Sequence, residues 1–594
     1  MANRATEEAN LSTINQEDSL EVIGHARGCR FVRQAMVPMR DGVQLATTIF
    51  LPEAQGRYPV VLQRRPYNRL TGLDGWEDWV RNGYVFICQD TRGRYDSEGD
   101  FEPFTQEFND TPDTIGWIRQ QEWCNGKVGM MGPSYLAVVQ THGVAGGAGP
   151  VPDALLPTFM SGDAWVRGYY SNGPLSLFLA FWWLCFDVGS RTNNSEVLRI
   201  FDLEELFRRL PLETLDISSG AGRSRVWRKW LEHFTNDEFW KGYGIHGQHA
   251  RFTMPTLLVG GWYDYYPAQT IISWQKMVAA AQTPEIAANH KLLIGPWGHH
   301  HGLEPTSDGH RAVDFGPESN FEPHRIYRTW YDRVFKGIHP VDGLGDRAIR
   351  IFVMGRNQWR DEDEWPLART RYVNYYLHSA GRANTLTGDG RLSLVGPREE
   401  VPDRFTYDPA QPVHTRGGNH SIGPWNEAYQ DYIWCGPCDQ RPNEVRPDVL
   451  CYTTDPLAAD LEVTGPITLK LWASTSARDT DFVGRLVDVD PAGRAINITE
   501  GVVRARYRRG DGAHPELIKP GAVLEYTLDL QVTSNVFLKG QAIRLEVTSS
   551  NFPLWDRNLN TGENPHTSTA MQVARQTIWH DATRPSHLVL PVIP

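Results

Sequence analysis

Cysteine is scarce in this chain. Seven residues in 594 are an odd number and too thinly spread for a disulfide scaffold. Long hydrophobic runs are missing as well: Leu175–Phe186 (LSLFLAFWWLCF) falls short of the roughly 20 apolar residues that span a bilayer. The first residues, MANRATEEANLSTINQEDSLEVIG, contain no apolar stretch of the roughly 7–15 residues that a signal peptide carries. Positive charge is in deficit, since 59 Lys+Arg against 71 Asp+Glu leave a formal charge of −12. Nucleic acid and anionic membranes are therefore poor partners. These absences predict a cytoplasmic chain with no membrane or nucleic-acid partner.

What is present is globular. With 40% apolar and 22% charged residues the composition excludes a disordered chain, and at about 100–200 residues per domain the length predicts two to four domains. The first twenty-odd residues are polar and aperiodic and read as an N-terminal arm, drawn at 1–30. Beyond it, Tyr58–Leu62, Tyr84–Cys88 and Lys127–Met131 read as short buried strands bounded by Gly, Pro or charge. Asp113 reads as the cap of a helix through Ile115, Trp117 and Ile118. The pattern returns at Thr256–Gly260, a helix from about Ala268 to Ala281, and Lys291–Gly295. Strands alternating with helices predict an α/β architecture with a mainly parallel sheet covered on both faces.

Two stretches differ from this pattern. Residues 151–250 are rich in aromatics, among them Trp165, Tyr169, Tyr170, Phe178, Trp182 and Trp183, with helical spacing at Leu203, Leu206, Phe207 and Leu210. They read as a helical insertion over the carboxyl ends of the strands. From Ile349 onward, alternating runs such as Ile467–Trp472 and Ile543–Thr548 between Gly, Pro and Asp turns predict a β-sandwich or jelly roll over 349–594.

Gly132-Pro133-Ser134-Tyr135-Leu136-Ala137 follows directly on the strand Lys127–Met131. A serine on a tight strand-to-helix turn presents its hydroxyl at the top of a sheet, although the usual G-x-S-x-G pattern fails here at its last position, Leu136. Such a hydroxyl becomes a nucleophile only beside a base that a carboxylate orients. Asp264 follows the strand Thr256–Gly260 and His299 follows Lys291–Gly295, in the chain order Ser, acid, His. Asp264 could instead cap the helix from Pro267 onward, and His300 or His301 could serve as base. Three adjacent imidazoles rarely meet on one ion, and no Cys/His spacing accompanies them, so neither metal nor cofactor is expected.

The sequence resembles the cocaine-esterase and X-prolyl dipeptidyl-peptidase type of serine hydrolases, which also includes α-amino-acid ester hydrolases and glutaryl-cephalosporin acylases. The resemblance runs from about residue 31 to 594. Its segments are MRDGVQLATTIFLP (39–52), RRPYNR (64–69), QDTRGRYDSEGDFEPF (89–104), GPSYLA (132–137), GGWYD (260–264), IGPWGHH (294–300), DQRPNEVRPDVLCYTTDPLAADLEVTGP (439–466) and NFPLWDRNLNTG (551–562). It implies an α/β-hydrolase core (31–150 and 251–348), a helical cap (151–250) and a C-terminal jelly roll (349–594). It also implies Ser134 as nucleophile, Asp264 as acid and His299 as base. The oxyanion hole it implies comes from the Tyr67 hydroxyl and the Tyr135 backbone N–H. The family's terminal elbow glycine is Ala137 here.

Trp434-Cys435-Gly436-Pro437-Cys438 has the letters of a thioredoxin motif. It lacks the βαβ context which that chemistry needs, so a structural role is expected. Amino-acid ester hydrolases of the family carry a Glu-Asp pair two and three residues after the acid to hold an ammonium, where this chain has Tyr266 and Pro267. Trp165, Trp262 and Trp297 read as candidate pocket residues. The expected activity is cleavage of small-molecule esters with neutral, aromatic or bulky acyl groups through an acyl-enzyme. An amidase, acylase or X-Pro dipeptidyl-peptidase is the alternative, followed by a non-catalytic carbohydrate-binding or scaffolding protein. Homo-oligomerisation stays open.

Overall fold

The computed structural model describes residues 23–71, 75–299, 313–420, 435–510 and 512–594. Two large sheets organise them. The first has eleven strands: β1 (Ile23–Ala26), β2 (Cys29–Pro38), β3 (Gln44–Pro52), β4 (Tyr58–Arg65), β5 (Val85–Asp90), β6 (Cys124–Pro133), β7 (Ala154–Thr158), β8 (Thr256–Gly261), β9 (His290–Gly295), β10 (Ile349–Val353) and β11 (Gln358–Glu362). Their order is β1-β2-β3-β5-β4-β6-β7-β8-β9-β10-β11. From β5 through β10 every pairing is parallel, and antiparallel strands close both edges.

The parallel strands bury both faces, which is why they read as unbroken apolar runs. Val60, Leu62, Val85, Ile87, Val128 and Met130 face the helices Glu107–Arg119, Tyr135–Gly146 and Pro267–Ala280 in one core. Val61, Phe86, Cys88 and Met131 alternate to the other side, against Trp79, Ile326, Tyr327, Trp330 and Tyr331. Those last four belong to the helix Pro323–Lys336. Because the strands run in one direction, the loops after β4, β6, β8 and β9 all emerge on the same edge, the usual location of ligand sites in such sheets.

Residues 159–255 form short helices, including Leu177–Phe181, a π-helical turn Trp182–Asp187, Leu203–Arg208 and Arg225–Glu232. The second sheet, of twelve strands, is built from residues 371–593 and pairs antiparallel apart from a short parallel contact at Arg391. Its core contains Leu377, Leu469, Leu471, Phe482, Leu528, Leu545 and Leu588.

Four expectations need correction. The arm drawn at 1–30 lies outside the described residues only through residue 22; β1 pairs with β2, so the sheet starts at Ile23. The insertion drawn at 151–250 contains β7, which pairs with β6 and β8. The β-rich region drawn from 349 gives its first two strands to the first sheet, where β10 pairs with β9. Asp113 is no cap, since the helix begins at Glu107, and its carboxylate instead receives Arg40.

Candidate active site

β6 ends at Pro133 and a helix starts at Tyr135, so Ser134 must turn the chain in one residue. It does so at φ 59°, ψ −123°, a left-handed φ that costs a non-glycine residue on the order of 1–3 kcal/mol. Gly132, at φ 133°, makes the turn fit, since a Cβ there would lie 2.6 Å from that of Leu136. Leu136 and Ala137 are both buried, and the turn closes without the usual final glycine. The Ser134 N–H donates to Thr158 O at 2.9 Å, anchoring the elbow to β7.

Ser134 opens into a narrow cavity lined by Phe104, Tyr135, Val138, Phe159, Ser161, Tyr169, Trp183 and Tyr266. Phe159 and Tyr266 also pack their rings against His299, with centroids 5.7 Å away in each case. His299 Nδ1 stands 2.5 Å from Asp264 Oδ1, and both side chains are buried. Asp264 Oδ2 also accepts the Tyr266 N–H at 3.1 Å. The loops after β8 and β9 are laced together, the Trp262 N–H to Gly295 O at 2.9 Å and the Tyr263 N–H to Trp297 O at 3.0 Å. Asp264 and His299 are therefore held by one paired unit. His300 and His301 lie outside the described residues.

Tyr67 sits in the turn after β4. Its hydroxyl accepts the Trp183 indole N–H at 3.1 Å and interacts with the Ser134 side chain. Burial, helped by the nearby Asp187 charge, holds the phenol well above its ordinary value, so it remains a proton donor. Buried Arg94 fixes the turn, donating from Nε to Pro66 O at 2.8 Å and from Nη2 to Asp187 O at 2.6 Å. Tyr135 opens its helix, and the first amides of a helix have no intrahelical acceptor. Its own hydroxyl points away, accepting the Phe104 N–H at 2.9 Å.

The expected pocket tryptophans are elsewhere. Trp165 stacks on Tyr170 at 5.9 Å, Trp262 donates to Phe352 O at 2.8 Å, and Trp297 donates to Ser319 O at 2.5 Å. All three are buried in the core, and none is among the residues lining the Ser134 cavity. Trp183 takes that place with Phe104, Phe159, Tyr169 and Tyr266. Tyr266, one of the two positions where a Glu-Asp pair was sought, lines the cavity, and none of its described lining residues is charged.

Cys435 and Cys438 are buried, and neither opens a helix; the nearest one starts at Arg441. Trp434 lies outside the described residues. Among the described residues no helix is long and apolar enough to cross a membrane.

A model of the X-Pro dipeptidyl-peptidase (S15 family) matches residues 41–301, and a model of the X-Pro dipeptidyl-peptidase C-terminal non-catalytic domain matches residues 346–589. A cocaine esterase of Rhodococcus sp. (strain MB1 Bresler) is 37% identical over 585 residues, 94% of this chain and 98% of the relative. Among solved structures, an α-amino acid ester hydrolase aligns at 25% identity and TM-score 0.79, covering 98% of this chain and 100% of that one. An aminopeptidase from a marine sediment Thaumarchaeota archaeon aligns at 26% identity and TM-score 0.77, covering 95% of this chain and 96% of that one. The chain belongs to the cocaine-esterase and X-Pro dipeptidyl-peptidase family of serine hydrolases.

Proposed function

We propose that this protein is a serine carboxylesterase that hydrolyses esters of neutral, aromatic or bulky acyl groups through a covalent acyl-enzyme. The observation that carries the reading is the strained Ser134 elbow facing an aromatic cavity with no charged residue among its described lining, whose walls, Phe159 and Tyr266, also pack on the Asp264–His299 pair. In this reading residues 159–255 are a cap, and the β-rich region after Glu362 is a jelly roll that completes the enzyme. The hydrolase domain is 23–158 with 256–362.

With Nδ1 engaged by Asp264, base function falls to His299 Nε2. It takes the Ser134 proton as Oγ attacks the ester carbonyl carbon, and Asp264 stabilises the resulting imidazolium. The carbonyl oxygen becomes an alkoxide, which the Tyr67 hydroxyl and the Tyr135 amide bind; each such donor contributes about 10²–10³-fold. As the C–O bond breaks, the imidazolium protonates the departing alcohol. Water, deprotonated by His299, then attacks the acyl carbon; the bond to Ser134 Oγ breaks, the carboxylic acid leaves, and His299 returns the proton to Ser134.

The lining supports this reading of the acyl group. A free α-amine would enter a cavity of aromatic and small side chains with no carboxylate among its described residues, and a cation there loses hydration without a paired charge. That disfavours α-amino esters and X-Pro dipeptides. A panel of aryl esters, aryl amides and X-Pro anilides tests it: aryl esters should be turned over fastest by kcat/KM, and preference for an X-Pro anilide would contradict it.

A further inference from the structure

We infer that the β-rich C-terminal domain supplies a positioning residue for the triad acid, Asn419. This rests on the reading of Asp264 and His299 as acid and base. The domain matches a model described as non-catalytic, yet Asn419 reaches across to the loop after β8. Its Nδ2 donates to Trp262 O at 2.6 Å and to Asp264 O at 3.2 Å. Both neighbours are carbonyl oxygens, so only the NH₂ end of the amide can face them. Asn419 is 3% exposed, and water cannot easily replace it.

One amide thereby clamps two carbonyls of the Trp262-Tyr263-Asp264 turn. Asp264 must present Oδ1 to His299 while Oδ2 holds the Tyr266 amide. Rotation of the turn would misalign both bonds. The loop's other faces are held from within the hydrolase domain, by hydrogen bonds from the Trp262 and Tyr263 N–H groups to Gly295 O and Trp297 O; the carbonyl side is held by Asn419.

The surroundings of Asn419 are built to place it. Gly418 has φ 102°, and a Cβ there would lie 2.0 Å from Glu500 Oε1, so only glycine allows this approach. Gly418 and Gly436 exchange both backbone hydrogen bonds, at 2.8 and 3.0 Å. Cys438 N–H in turn donates to Asn497 Oδ1 at 2.7 Å. The Cys435–Cys438 turn thus acquires a role: it seats the Gly417-Gly418-Asn419 segment. A second bond joins the same loop to the same domain, from the Tyr263 hydroxyl to Asn497 O at 3.1 Å. It touches neither the Asp264 carbonyl nor its carboxylate.

The test compares Asn419→Asp, Asn419→Ala and Tyr263→Phe in the full chain, with Ser134→Ala as reference. Asn419→Asp keeps the shape but turns a carboxylate oxygen toward the two carbonyls; Asn419→Ala removes the contact and covers the case in which the buried carboxylate prevents folding. Both variants should lose about 10–100-fold in kcat on an aryl ester, with KM within about twofold, because a small misplacement of a catalytic group costs that much. Fluorophosphonate labelling of Ser134 should slow in parallel. The downfield proton resonance of the His299–Asp264 hydrogen bond should weaken or move. Tyr263→Phe, which breaks a domain contact of similar kind, should keep kcat within about twofold and leave that resonance in place. Unchanged kcat and resonance in either folded Asn419 variant would overturn the inference, as would equal losses in Tyr263→Phe, which would reduce Asn419 to domain docking. Full activity in Ser134→Ala would instead overturn the active-site reading.

Discussion

The Trp183 indole N–H points at the Tyr67 hydroxyl oxygen from 3.1 Å. A phenol has one proton to give. With the indole occupying a lone pair of the oxygen, that proton is steered away from Trp183, and the Ser134 side chain interacts with the same hydroxyl. Trp183, which contacts this proposed oxyanion donor, comes from the π-helical turn Trp182–Asp187, a geometry that recurs at functional sites.

Trp183→Phe keeps a ring in the cavity wall and removes the donor. We expect kcat to fall about tenfold, with little change once Tyr67 is already Phe, because the two side chains act as one unit. A double-mutant cycle on kcat checks this; additive losses would leave Trp183 as a wall residue only.

Tyr67→Phe should lower kcat by about 10²–10³-fold with KM nearly unchanged, since the hydrogen bond strengthens as charge develops on the carbonyl oxygen. Separate kcat and KM values on one activated aryl ester decide it. A rise in KM alone would make Tyr67 a packing residue.

Asp187 gives a pH dependence. Burial lifts its carboxyl to about 7, against partial relief from Arg94, from an ordinary value near 3.8. Between about pH 4 and 7 the native protein keeps a proton that the unfolded chain has released, so this group makes stability fall as pH rises through that window. Above about pH 7 the cost is constant. Asp187→Asn should therefore raise thermal stability at pH 8, by on the order of a few kcal/mol at most, and bring little at pH 4. Melting temperatures at the two pH values test it, and a larger gain at pH 4 would reverse the sign.

How much of this was legible follows from what is local. Ser134, Asp264 and His299 each follow a short apolar run bounded by Gly or Pro, and parallel strands ending on one edge bring such positions together. β7 escaped because ALLPT carries Pro157 and follows a Gly- and Pro-rich stretch, which reads as a loop. β10 and β11 were assigned to the wrong sheet because a strand's partners are set by long-range pairing, and alternation looks the same in either sheet. The pocket tryptophans failed for a similar reason. Trp262 and Trp297 flank the catalytic loops in sequence, yet their indoles turn into the core toward Phe352 and Ser319. Trp183 was one of many aromatics in the helical insertion, and nothing local set it apart from those that fill the core. Asn419 lies 155 residues beyond Asp264, and only the packing of the two domains shows its contact.

The base assignment can be tested at neighbouring positions. His299→Ala should lower kcat by about 10⁴-fold, comparable to losing other members of such triads. Alanine at His300 or His301 should cost far less, and a larger loss at either would move the base.

The most direct test of the central claim is to expose wild-type protein and Ser134→Ala to an aryl fluorophosphonate, locate the adduct by peptide mass spectrometry, and measure turnover of one aryl ester on the same preparations. The account predicts a single adduct on Ser134 in the wild type, none in the folded Ser134→Ala, and loss of turnover by at least about 10³-fold. An adduct on another serine, or turnover in Ser134→Ala within tenfold of wild type, would contradict it.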